Sequence, residues 1–199
     1  MTKVESVGTL KTAEAVSAGR DVAERPGRVL VVTNMYPAPD RPALGIFVQE
    51  QVESLRAQGL EVDILFVDGP GNKLNYLWGI FRFRRQIAQR RYDLVHAHYV
   101  FSGIIALTQR GLPVVTTFHS GEVLEGSFQR TLSRLVSARA DLNIAVSEEV
   151  MGKLRGRCCV IPCGVDLERF RPMDVSEARS QLNLPAEKGK GLLSKLFAR

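Results

Sequence analysis

Residues 93–119 read "DLVHAHYVFSGIIALTQRGLPVVTTFH". A short apolar run, DLVHAH, gives way to VFSGIIALTQRG, and after Pro113 a second apolar run, LPVVTTFH, begins. The two runs have strand length and are apolar on both faces, and the piece between them has helical length and pattern. A strand, a helix and a second strand in that order form a parallel pair, because antiparallel neighbours need only a tight turn. Strands without a polar face belong in a sheet covered on both sides. The second run ends on His119, one of three histidines in the chain.

The same alternation extends in both directions. Upstream stand a Val-rich strand at 28–34, a helix at 44–59 with Leu44, Phe47, Val48, Val52 and Leu55 at helical spacing, and a strand at 61–67. A Gly-Pro-Gly turn then leads into an amphipathic helix ending near residue 91, on which Leu74, Leu77, Trp78, Phe81 and Ile87 are expected to cover the face against the sheet. Downstream come a helix at 127–140, a strand at 141–147, a helix opened by Ser147 as N-cap with Glu148 and Glu149 in its first turn, and a short strand at 158–164. The fold class is therefore α/β: a doubly wound, mostly parallel Rossmann-like sheet over residues 28–166. Residues 1–27 are polar and lack the apolar core of a secretory signal, so a disordered extension is expected there. Residues 167–199 form a linker and a tail whose Leu192, Leu193, Leu196 and Phe197 fit one helical face.

Composition narrows the function classes. No apolar run is long enough to span a bilayer. Cys158, Cys159 and Cys163 lack the paired spacing of zinc sites and suit a reducing cytoplasm. The formal charge is +6, and residues 82–91, "RFRRQIAQRR", carry five arginines and no acid. A solvated helix face explains this, and so does an anionic partner, either a phospholipid surface or a phosphorylated substrate. Nucleic acid is not expected, since no helix-turn-helix, finger or aromatic ladder accompanies the arginines.

In doubly wound sheets ligands bind beyond the carboxyl ends of the strands. The first such loop, "NMYPAPDRPALG", holds one glycine, Gly45, and is neither G-x-G-x-x-G nor a P-loop, which argues against dinucleotide binding and NTP hydrolysis. His96 and His98 point to one side of their strand. With His119 they could form a three-histidine metal site and make the protein a metal-dependent hydrolase, although structural hydrogen bonding is the simpler role for His96. His119 stands before Ser120, Gly121 and Glu122, a small-residue turn expected to leave backbone donors beside an imidazole that titrates near neutrality.

The segments "GIFVQEQVESLRAQG", "DLVHAHY", "VVTTFHSGE", "IAVSEEV" and "VIPCGVDLERFRP" occur in this order and at suitable distances. As an ordered set they resemble the N-terminal half of retaining GT-B glycosyltransferases of the family 4 type. The most telling is IPxGVDxxxFxP at 161–172. The resemblance implies one of two Rossmann-like domains facing a cleft. This half would hold a sugar or lipid-linked acceptor through His98, Ser120, Gly121 and Glu122. Gly45 would bring its amide near the diphosphate of the nucleotide-sugar donor, with Ser147 close to the cleft. His119 would contact the transferred sugar, and Gly164, Val165 and Asp166 would lead into the interdomain linker. The donor is a co-substrate, and neither a cofactor nor a metal is implied. Three departures stand out: a single glycine in the first loop, Glu122 where Asp is common, and Cys163 where Asn is usual.

Relatives continue after "ARSQLNLP" into a donor-binding domain, whereas here "AEKGKGLLSKLFAR" follows. The expectation is thus a cytoplasmic half-enzyme, inactive alone or completed by a separate donor-domain polypeptide, with peripheral contact to an anionic membrane. A non-catalytic module binding glycans or lipid-linked sugars is the alternative.

Overall fold

The computed structural model describes residues 27–69, 71–124, 126–165, 167 and 170–184. Residues 1–26 of the extension expected at 1–27, the amphipathic tail and Asp166 lie outside the described residues. The chain divides into two units, 1–161 and 162–199.

The first unit runs β1 (Arg28–Thr33), α1 (Ile46–Ala57), β2 (Glu61–Phe66), α2 (Asn75–Gln89), β3 (Leu94–His98), α3 (Val100–Ala106), β4 (Val114–Phe118), α4 (Ser120–Leu124), α5 (Ser127–Ser137), β5 (Leu142–Ala145), α6 (Glu148–Met151) and β6 (Cys158–Val160). The six strands form one sheet in the order β2-β1-β3-β4-β5-β6, and every pairing is parallel. Chain order reverses between β1 and β3. Loops leaving those two strands diverge, and a crevice opens outside their carboxyl ends.

Alternation along the strands sorts the core into layers. Leu30, Val32, Leu65, Val95 and Ala97 face Phe83 of α2 and Ile105 of α3, and that face continues through Phe118, Val136 and Ala145. Val29, Val31 and Val62 face Val48 and Val52 of α1. His96 pairs in register with Val31, so it and His98 lie on the α1 side.

Two expectations need correction. Residues 120–124 form the short helix α4 rather than an open turn. On α2 the buried set is Gly79 and Phe83, with Tyr76, Ile80 and Ile87 packed beside them, while Leu74, Leu77, Trp78 and Phe81 are 58–66% exposed. The close approach of α2 to the sheet explains the choice: a Cβ at Gly79 would lie 3.0 Å from Ile105 and Val67. A larger residue there would make those side chains give way by a few tenths of an ångström.

In the second unit α7 (Val175–Gln181) is capped by Asp174, whose side chain accepts from the Ser176 amide at 2.8 Å.

Candidate active site

His119 follows the last residue of β4 and is half-buried. Its ring lies between Phe47 of α1, with centroids 4.8 Å apart, and Tyr99 after β3, stacked at 4.6 Å. Burial among these rings lowers its pKa from the ordinary value to about 4, so the imidazole is neutral at physiological pH rather than titrating there. Its Nε2 is buried and makes no hydrogen bond to the described residues.

Glu122 fixes the turn that carries this histidine. One carboxylate oxygen accepts from the Val100 amide at 2.5 Å, the other from the His119 amide at 3.0 Å. The first of these amides opens α3, where the helix dipole favours an anion. Burial nonetheless pushes the carboxyl up to about 7, against the pull of the two amides. The His119 amide is therefore engaged by Glu122 and is not the bare donor expected, whereas Ser120 and Gly121 are exposed on the first turn of α4.

The three histidines are neighbours. His96 and His98 ring centroids are 4.5 Å apart, and His98 and His119 are 5.8 Å apart, with planes inclined by 32° and 24°. Rings laid nearly face to face do not aim three nitrogens at one point about 2 Å away, as zinc requires. Among the described residues no group of His, Cys, Asp or Glu is arranged to hold a metal ion. His96 shares a 2.8 Å hydrogen bond with Thr117 Oγ1, the structural role expected for it. Burial lowers the pKa of His96 to about 4 and that of His98 well below its ordinary value. His98 is 2% exposed, and both its nitrogens lack a partner among the described residues.

Gly45 caps α1 in the left-handed region, at φ 69°. A Cβ there would lie 2.5 Å from the Met35 carbonyl, so the first-strand loop folds against the helix start only because this residue is glycine. The first amides of α1 follow directly, with no side-chain cap over them. Ser147 caps α6, its hydroxyl accepting from the Val150 amide at 3.3 Å.

Beyond the ends of β1 to β4 lies a cleft of about 560 Å³. Its walls include Asn34, Lys73, Tyr76, Tyr99, Phe101 and Phe128, with Glu122 also at its lining. His119 does not line it, but Tyr99, stacked on His119, does. Tyr76 stacks on Phe101 at 4.9 Å and accepts a 3.2 Å hydrogen bond from Asn34. Sequence reasoning missed Tyr99, Tyr76 and Lys73 as site residues. An aromatic immediately after a strand that ends in the crevice was the available signal for Tyr99. Its backbone, at φ 72° and ψ 156°, occupies a region nearly reserved for glycine.

The Glycosyltransferase Family 4 model matches residues 16–169. The D-inositol 3-phosphate glycosyltransferase of Nocardiopsis dassonvillei is 31% identical over 132 residues, covering 56% of this chain and 31% of that protein. The protein of the same name from Nocardioides sp. is 26% identical over 227 residues, covering 84% of this chain and 50% of its own. The chain thus spans a quarter to a half of the length of the curated relatives it matches. Among solved structures, sucrose-phosphate synthase from Thermosynechococcus elongatus superposes with a TM-score of 0.65 at 22% identity, over 81% of this chain and 53% of that one. Anabaena HepE, crystallised with UDP and glucose, superposes at 0.51 and 19% identity, over 78% of this chain and 50% of that one.

Proposed function

Since the chain belongs to Glycosyltransferase Family 4, we propose that it is the acceptor-holding half of a retaining glycosyltransferase using a nucleotide-sugar donor. The observation that carries this reading is the aromatic cleft at the β1/β3 reversal, joined through Tyr99 to a neutral histidine whose Nε2 has no partner among the described residues. Aromatic faces suit the C–H faces of a sugar ring. Lys73 at the wall supplies one cation for an acceptor phosphate, in keeping with relatives named for D-inositol 3-phosphate.

The residues divide the work. His119, neutral at working pH, is not a general acid; it backs the Tyr99 ring at the cleft wall, and its buried Nε2 reaches a hydroxyl of the transferred sugar only when the Phe47 and Tyr99 rings over it shift. The amides that open α1 beside Gly45 meet the donor diphosphate at the positive end of the helix. Ser120 and Gly121 present exposed groups to the acceptor, while Glu122 lines the cleft and the buried His98 packs against His119 behind it. The cleft orients the acceptor against the donor sugar as an oxocarbenium-like state forms. A donor-binding domain supplies the charges that neutralise the leaving phosphates. The scheme calls for no metal and no cofactor.

The test is nucleoside diphosphate release from a panel of nucleotide sugars, with D-inositol 3-phosphate and glycans as acceptors, with and without a donor-binding domain. Release is expected only with that domain and an acceptor present, and His119→Ala should slow it about 100-fold, the loss typical of one oriented hydrogen bond. Release unchanged in both His119→Ala and Lys73→Ala variants would overturn the assignment. Saturable glycan binding without release under any condition would instead make the chain a binding module.

A further inference from the structure

Helix α2 is apolar on two opposite faces. Tyr76, Gly79, Ile80, Phe83 and Ile87 turn to the sheet. Leu74, Leu77, Trp78 and Phe81, exposed by 62, 66, 62 and 58%, turn to solvent. Spacing of three and four residues sets these four in one stripe. Trp78 and Phe81 meet edge to face at 6.0 Å within it.

The charges carried by the helix itself have one sign, with Asp63 of β2 beside the arginines at its far end. From Lys73 to Arg91 there are six cations and no acid. Arg82 and Arg84 flank the stripe, their guanidinium groups donating to the carbonyls of Phe66 and Thr108. These bonds fix the side chains without neutralising them. Arg85 continues the line of the stripe towards the helix end and is exposed. Arg90 is paired with Asp63 at 3.2 Å.

We infer that α2 is a membrane-docking helix that lays this stripe into the surface of an anionic lipid bilayer. Leucine, tryptophan and phenylalanine enter the acyl boundary while the flanking arginines meet lipid phosphates, the arrangement of an interfacial helix. A helix of 15 residues, about 22 Å long, suits lying in the interface, and no described helix is long and apolar enough to cross a membrane. A second copy of the chain is a poor occupant: pairing stripe to stripe would set arginine against arginine. An anionic bilayer offers apolar depth and negative charge on one surface.

The placement bears on the cleft. Lys73 and Tyr76, at the start of the same helix, line it. A docked α2 therefore holds the cleft mouth at headgroup level, where a lipid-linked acceptor would enter. The docking itself rests on α2 alone and stands whatever reaction the cleft serves.

Trp78 is the only tryptophan, so its emission reports on the stripe directly. The full chain is mixed with vesicles of phosphatidylcholine alone or with about 30% phosphatidylglycerol, and partitioning is followed by sedimentation and fluorescence. Anionic vesicles should bind about tenfold more protein than neutral ones, with binding weakened by added salt and Trp78 emission shifted to the blue. Brominated lipid should quench that emission. Leu77→Gln with Phe81→Gln should abolish sedimentation and leave circular dichroism unchanged, since both side chains are exposed. Equal partitioning to the two vesicle types would overturn the inference. So would undiminished binding of the double variant, or a Trp78 shift that follows protein concentration without lipid, the mark of a second copy.

Discussion

The Glu122 carboxylate holds two loops with one group. Glu122→Ala would leave the Val100 and His119 amides buried without an acceptor. Urea unfolding should show a loss of about 2–4 kcal/mol, the cost of two orphaned donors. Glu122→Gln keeps one acceptor oxygen and should lose less. The pH dependence of stability follows from the same neighbourhood. Burial holds His96 and His119 near pKa 4 and His98 well below its ordinary value, so between about pH 4.5 and 6.5 the unfolded chain binds protons at these histidines that the folded chain does not. Stability from the histidines thus rises with pH across this window. Glu122, raised to about 7, works in the opposite sense, the folded state holding the proton the unfolded state releases. Three histidines outweigh one carboxyl. Unfolding near pH 5.5 should therefore take up about two protons, and denaturation midpoints should climb from pH 4.5 to 6.5. The position of His119 was legible in the sequence, because a histidine ends an apolar strand. Its low pKa was not, because Phe47 and Tyr99 arrive from other elements.

Elements were legible in kind and less so in facing. Strand runs and helical spacings predicted the β/α alternation, and each expected strand is present. Helix α2 shows where pattern reading runs out: both its faces have apolar residues at helical spacing, and hydrophobicity alone cannot say which faces the sheet. The small residue on the buried side, Gly79, was the usable signal. Gly79→Leu should lift α2 from Val67 and Ile105 and cost about 1–3 kcal/mol, read as a lower melting temperature. Gly45→Ala belongs to the same scale. A methyl group in the left-handed region, aimed at the Met35 carbonyl, should destabilise by about 1–3 kcal/mol and loosen the start of α1, seen as faster amide exchange in its first turn. The short helix α4 escaped prediction because Ser120 and Gly121 have turn composition. A buried carboxylate two residues on, not local propensity, organises it.

For the whole molecule, an all-parallel sheet followed from strands apolar on both sides, but strand order did not. Right-handed crossovers restrict the possibilities without saying on which side of β1 each new strand is added. The observed order puts the reversal between β1 and β3, so residues far apart in sequence, Asn34, Tyr76 and Tyr99, meet at one cleft. The Glu122 strap spans this gathering place: one end holds the start of α3 behind the cleft proposed for the acceptor, the other the His119 amide just past the end of β4. Under the proposed function this strap is expected to couple acceptor and donor, and by thermodynamic reciprocity whatever change one makes in the other's affinity is returned by the same factor. Acceptor affinity measured with and without nucleotide, for the chain supplied with a donor-binding domain, should show that coupling, and Glu122→Ala should remove it, leaving two sites that fill independently.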